Sequence, residues 1–209
     1  THTDKPCRSW LVYAESPGAG KVVSYVNATW TVPEYPSERN GGPAPGFWFG
    51  VNDAAGSVLI QPILAYGDGA AEFSIFNGYF QWAPERWQQS DSSVVKPGDK
   101  VFASITLSQD KKSYTMLITS LTSGWDVSTT IPIQDEKVVT NVVFVIEHQP
   151  AQCDEYPMNG SITFDDINIE LEGNPVTPKW TMKQFQPACN SNGKVLSPSS
   201  LEFTWDTSM

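Results

Sequence analysis

Apolar residues in this chain never keep a helical period. They alternate with polar residues or run in short blocks, and Gly, Pro, Ser and Asn punctuate them. That pattern dictates many short β-strands. The expected strands are Trp10–Tyr13, Lys21–Val32, Gly46–Asn52, Val58–Tyr66, Glu72–Trp82, Lys100–Leu107, Tyr114–Thr119, Trp125–Pro132, Asn141–Glu147, Gly160–Leu171, Lys179–Phe185 and Leu201–Trp205. Turn signals such as Gly67-Asp68-Gly69 and Pro97-Gly98-Asp99 fall between them. Pro33–Pro45 reads as an exposed loop. In the strand around Phe102, residues Val101, Ala103, Ile105 and Leu107 share the opposite face, which asks for a sheet with one side buried. The expected fold is therefore all-β: an antiparallel β-sandwich of two packed, curved sheets, a concanavalin-like jelly roll. One domain is expected over residues 1–209, with 174–209 a less regular C-terminal segment packing on it.

A hydrophobic content of 40% suffices for a real core, and 12% aromatic residues favour β structure and wide binding surfaces. The net charge is -10, and the 13 Lys and Arg form no cluster beyond Lys111-Lys112. Phosphate backbones and anionic membranes need a basic stripe, so neither nucleic acid nor a membrane surface is an expected partner. No apolar run is long enough to span a bilayer. The chain opens at Thr1 with no charged-then-apolar leader, so any signal peptide is expected to have been removed already. The sequons at Asn27 and Asn159 are candidate glycosylation sites and lend mild support to secretion. Three cysteines permit one disulfide, either Cys153–Cys189 or Cys7–Cys189. With His2 and His148 as the only histidines, no metal site and no cofactor are expected. A monomer is expected.

Two polar residues interrupt the most apolar runs. Gln61 follows Val58-Leu59-Ile60, and Glu147 follows Val142-Val143-Phe144-Val145-Ile146. An unpartnered buried amide or carboxylate costs about 1–3 kcal/mol or more, which a strand core does not usually carry without a purpose. By the period of two, Leu59 and Gln61 share one face, and Val143, Val145 and Glu147 share another. If both faces line one concave groove, an amide and a carboxyl can meet there. A carboxyl among apolar neighbours has its charged form disfavoured and can work as base and acid at acid pH. Each residue alone also has a plainer reading, as a solvated strand end or a satisfied hydrogen-bonder.

Other hydrolytic chemistries fit less well. The chain has no Gly-x-Ser-x-Gly elbow, and a catalytic triad would rest on His148 alone. The Asp-Thr-Gly and Asp-Ser-Gly triplets of aspartic peptidases are absent. Glu72, Glu85 and Glu147 could supply a glycosidase pair, but no paired-Glu strand motif accompanies them.

At these residues the chain resembles the eqolisin-type glutamic peptidases, the fungal acid enzymes typified by scytalidoglutamic and aspergilloglutamic peptidase. The likeness runs from about Ser9 to Phe164. It rests on Ser9-Trp10, the strand from Val22 to Pro33, Phe47-Trp48-Phe49-Gly50-Val51, Val58-Leu59-Ile60-Gln61, Tyr66-Gly67-Asp68-Gly69, Tyr79-Phe80-Gln81-Trp82-Ala83-Pro84-Glu85, Lys96-Pro97-Gly98-Asp99 and Asn141–Glu147, in order. The resemblance implies a β-sandwich of two seven-stranded sheets and a secreted acid endopeptidase acting on protein or peptide substrates. It implies that Gln61 and Glu147 are a catalytic dyad that activates water for direct attack on the peptide bond. Trp48, Tyr79, Gln81 and Trp82 would then line the groove and bind substrate. The chain departs from the family pattern at Asn52, Gln81 and Ala83, at Pro62, and in a shorter stretch between Gln61 and Tyr66. The alternative reading is a non-catalytic glutamic-peptidase-like module that binds carbohydrate or protein.

Overall fold

The computed structural model describes residues 9–67, 70–133, 139–148, 150–185 and 188–209. Cys7, and with it the expected alternative pairing Cys7–Cys189, lies outside the described residues. Among the described residues, sixteen strands run in the order β1 (Trp10–Pro17), β2 (Val23–Thr31), β3 (Gly46–Asp53), β4 (Val58–Tyr66), β5 (Phe73–Trp82), β6 (Glu85–Gln89), β7 (Ser93–Val95), β8 (Lys100–Leu107), β9 (Ser113–Ser120), β10 (Asp126–Pro132), β11 (Val139–Glu147), β12 (Ser161–Leu171), β13 (Asn174–Val176), β14 (Thr181–Gln184), β15 (Asn192–Ser197) and β16 (Ser200–Thr204). A short 3-10 turn, Cys153–Glu155, precedes β12.

The strands form two antiparallel sheets. One has the order β14-β1-β11-β3-β4-β5-β6 with β7 also on β5, and the other β10-β9-β8-β2-β12-β16-β15 with β13 also on β12. Each sheet thus has eight strands among the described residues, one more than the family resemblance implies. The C-terminal strands join the sheets: β14 pairs with β1, and β16 pairs with β12. The disulfide Cys153–Cys189 ties the 3-10 turn to the segment between β14 and β15.

The main core lies between the sheets. Phe47, Phe49, Phe144, Ile75 and Leu64 from one sheet meet Trp30, Ile105, Ile118, Phe164 and Phe203 from the other. Asn77 crosses this layer. Its buried Nδ2 donates to the Met116 carbonyl (3.3 Å), the Val127 carbonyl (3.1 Å) and the Thr129 hydroxyl (3.2 Å) on the facing sheet.

The first sheet is also buried on its outer face. Trp10, Trp48, Leu59, Ile63, Phe76, Val143 and Val145 form a second, smaller apolar cluster there. Burial on both sides explains why β3, β4 and β11 read as nearly unbroken apolar runs, while strands of the other sheet alternate.

Candidate functional site

Glu147 ends β11 on the outer face of the first sheet. Its backbone pairs with Trp10 on one side and Gly46 on the other. A bulge between Trp10 and Val12 sends Trp10 outward and Val12 into the main core, and it brings Ser9 beside the end of β11. The Ser9 hydroxyl donates to Glu147 Oε1 at 2.6 Å, and the Trp48 indole N–H donates to Oε2 at 2.8 Å. Trp10 packs edge-on against Trp48 at 5.3 Å and fixes the indole. The carboxyl is thus oriented by two donors, with its remaining lone pairs free to face a substrate or water. His148 follows with φ +67°, an uncommon backbone state for a residue with a Cβ, and its N–H donates to the Ser9 carbonyl at 2.7 Å. The chain turns away from the sheet there.

A groove of about 460 Å³ opens beside Glu147. Its floor is Gly46, Trp48, Ile63, Ala65 and Phe76 from β3, β4 and β5. One wall is the loop residues Arg39, Gly42, Pro43 and Ala44 with Gly67, and the other is Trp87 and Gln89 of β6. Trp87 lies over Gly78, where a Cβ would come 2.6 Å from the indole ring, so the absence of a side chain at Gly78 is what lets the ring fold down. Gly46 likewise leaves the floor open next to Glu147, with only side-chain atoms near its missing Cβ.

Gln61 lies on the same outer face but in a different row. Trp48 sits opposite Val145 and Ile63, and Glu147 opposite Gly46. Gln61 falls beside Gly50, where a Cβ would come 3.3 Å from the Gln61 Cβ, and Gly50 pairs with Val143. Gln61 is therefore two strands over from Glu147 and four residues further along. At about 3.3 Å per residue and about 4.8 Å per strand, the two Cα positions are roughly 16 Å apart. Trp48, Val145 and Ile63 lie between them. The structure does not bring the two groups to one water. The register is fixed by the β3–β4 turn, where Asp53 Oδ1 accepts the N–H groups of Ser57 (2.6 Å) and Val58 (3.1 Å) and Oδ2 accepts the Ser57 hydroxyl (2.6 Å). The Gln61 side chain is buried, and its Oε1 has no hydrogen-bond partner.

The expected substrate-binding residues divide between the two faces. Tyr79 and Gln81 point into the inter-sheet core, where the Tyr79 hydroxyl donates to Gln81 Oε1 at 2.8 Å and Gln81 Nε2 donates to the Pro84 carbonyl at 3.1 Å. This corrects their placement in the groove: the period of two along β5 gives the outer face to Phe76, Gly78, Phe80 and Trp82 instead. Trp82 is on that outer face, packed on Phe80 at 4.5 Å, but does not line the groove beside Glu147. Trp48 lines the floor but is fully buried, so it holds Glu147 rather than offering its ring to solvent. Asn27 also differs from its expected role: its amide is buried and donates to the Asp166 carbonyl at 3.0 Å, so it is not open to a sugar. Asn159 is exposed.

Several site residues escaped sequence reasoning. Ser9 stands in the sequence only as part of the Ser9-Trp10 motif, and its hydroxyl reaches Glu147 only through the β1 bulge, while Arg39 and Gln89 come from a loop and an edge strand with no distinguishing pattern. The sequence offers His148 as a triad member or a metal ligand, whereas its place after Glu147 puts it on the groove rim. Among the described residues no group of His, Cys, Asp and Glu could hold a metal ion.

Comparison with known proteins gives a consistent answer. The profile of the peptidase A4 family matches residues 12–204. Among solved structures, scytalido-glutamic peptidase with a transition-state analogue inhibitor aligns over 95% of this chain and 98% of its own, with a TM-score of 0.68 and 19% identity. SCP-B, an eqolisin-family peptidase in complex with the tripeptide Ala-Ile-His, aligns over the same shares with a TM-score of 0.66 and 18% identity. Aspergilloglutamic peptidase from Aspergillus niger aligns over 78% of this chain and 99% of its own, with a TM-score of 0.58 and 18% identity. At these identities the likeness shows a shared fold. No curated protein matches the chain.

Proposed function

We propose, from the premise that this chain belongs to the peptidase A4 family and is a glutamic-type endopeptidase, that Glu147 carries its acid and base chemistry in the groove between the 39–44 loop and β6. The observation that carries this reading is the carboxyl itself. It stands at the mouth of an open groove with both oxygens held, one by Ser9 and one by Trp48. A group so fixed need not reorganise when a substrate arrives.

The reaction follows from that geometry. An extended peptide lies across the floor of Ile63, Ala65 and Phe76. Glu147 takes a proton from a water, and the oxygen attacks the scissile carbonyl directly. The protonated Glu147 then donates to the leaving amine as the C–N bond breaks, so carboxyl and water end in balance. Arg39 is engaged with the Gly42 carbonyl and Glu155, which leaves Gln89 and His148 as donors on the groove. With the Gln61 Cα roughly 16 Å from that of Glu147 by ideal strand spacing, this reading draws the oxyanion donor from the rim and not from Gln61. An oxidising, extracellular setting fits the Cys153–Cys189 disulfide, and an acid medium fits the scarcity of basic residues.

The test is separate substitution, Glu147→Gln and Gln61→Ala, with cleavage of denatured protein followed from pH 2 to 7. Glu147→Gln is expected to lose at least about 100-fold in kcat, the scale of a general acid–base contribution. Gln61→Ala is expected to keep most activity. Undiminished proteolysis by Glu147→Gln overturns the assignment.

A further inference from the structure

One buried carboxylate lies outside the reaction and is held more tightly than Glu147. Glu155, in the 3-10 turn, is fully buried. Its Oε1 accepts the Asn40 N–H at 2.5 Å, and its Oε2 accepts the N–H groups of Ala151 (2.6 Å) and Gln152 (3.1 Å). The Arg39 guanidinium stands 3.8 Å from Oε1 and also donates to the Gly42 carbonyl at 2.8 Å. Gly42 packs so closely on this turn that a Cβ there would collide with the Ala151 backbone. The same segment, Arg39 to Ala44, is the loop-side wall of the groove.

We propose that Glu155 is a positioning residue: its carboxylate clamps the backbones of 39–42 and 151–152 together and so holds the groove wall against which substrate is bound. A loop of this kind has no ladder of its own, and a single acceptor that satisfies several backbone donors supplies what a strand partner would. The charged and titratable groups around the clamp, among the described residues, are Arg39 and Asp154, whose Oδ1 takes the Asn40 side-chain amide at 3.4 Å. Burial alone would push the Glu155 carboxyl up. The N–H groups of Asn40, Gln152, Ala151 and Gly42 outweigh burial and hold it below its ordinary value. A carboxyl lowered on folding stabilises above its unfolded pKa and loses that contribution as pH falls through the folded one. The clamp therefore outlasts ordinary carboxylates as the medium is acidified, which suits an acid peptidase.

The inference rests on the proposed peptidase reading for its substrate arm only. The experiment is Glu155→Gln, an isosteric change that removes the charge and turns an amide NH2 toward N–H donors. Hydrogen exchange is measured at the Asn40, Ala151 and Gln152 amides, with kcat and KM on a peptide substrate. Exchange at the three amides is expected to rise about tenfold or more, and KM about tenfold with kcat within about twofold, since the wall binds and Glu147 reacts. Unchanged protection, or lost protection with unchanged KM, overturns the proposal. Should the variant fail to fold, the wild-type protein decides: protection of these amides, corrected for intrinsic exchange, must fall in one step below the ordinary carboxylate range, and a pH-independent protection overturns the clamp. A wild-type protein that cleaves nothing refutes the peptidase site, while the exchange data still judge the clamp.

Discussion

Replacing Gln61 with Met should make this protein more stable. Gln61 is 5% exposed, and its Oε1 has no hydrogen-bond partner. Its neighbours along β4 on the same face are Leu59 and Ile63, and Gly50 and Gly78 flank it on the adjoining strands. An unpaired buried carbonyl costs about 1–3 kcal/mol. Met has nearly the same length and shape, carries no group that needs a partner, and returns the transfer free energy of an apolar side chain. Against this stands the loss of whatever the amide nitrogen gains. The expected balance is a stabilisation of about 1–2 kcal/mol, or about 3–6 °C in Tm for a chain of this size. Urea unfolding followed by tryptophan fluorescence measures it directly, with peptidase activity assayed on the same preparations. Activity should remain within about twofold of the parent, because Gln61 lies two rows away from Glu147. A loss of stability beyond about 1 kcal/mol would show that the amide is satisfied. A gain in stability with abolished proteolysis would refute the placement of Gln61 away from the reaction and restore the dyad.

Three further outcomes follow from other contacts. Asp53→Ala removes the acceptor of the Ser57 and Val58 N–H groups and should cost about 1–3 kcal/mol, read as a shift of the denaturation midpoint. Converting Cys153 and Cys189 both to Ala opens a loop closed over a 36-residue separation and should cost about 4 kcal/mol on the chain-entropy account, measured by urea unfolding against the oxidised parent. Lys183 gains a hydrogen bond from its ammonium to Glu15 at 2.5 Å, which raises its pKa. Its contribution is therefore complete below the ordinary lysine pKa and is lost as pH rises through the raised folded value. Lys183→Met should flatten the alkaline limb of the stability profile and remove part of its salt dependence.

The legible parts of the fold were the strands whose burial left a pattern. β4 and β8 begin and end where the runs Val58–Tyr66 and Lys100–Leu107 do, because each is bounded by a turn and buried by alternating or continuous apolar residues. β6, β7, β13 and β15 were not legible: they are short edge or side strands, mostly exposed, so nothing in their side chains records the pairing. The period of two groups Gln61 with Leu59 and Glu147 with Val143 and Val145, but it fixes neither the face of the sheet nor the row, since register is set by Asp53 in a distant turn and by the β1 bulge. The same period, applied to Phe73–Trp82, would have turned Tyr79 and Gln81 inward once Phe76 was assigned to the groove. Asn77 carried the same signal as Gln61, a polar residue inside an apolar run, and its role is to staple the sheets. A buried amide in a strand thus marks a constraint without saying which kind.

The double burial of the first sheet separates two demands on one set of strands. Residues facing the partner sheet keep the molecule folded, while their immediate neighbours in sequence shape the cleft floor. Exchanging Ile63, Ala65 or Phe76 for side chains of other sizes remodels what the cleft admits without disturbing the interlocked rings on the far side. Selectivity and folding can drift apart in such a protein at alternate positions of a single strand, so diversification among relatives should show a two-residue beat.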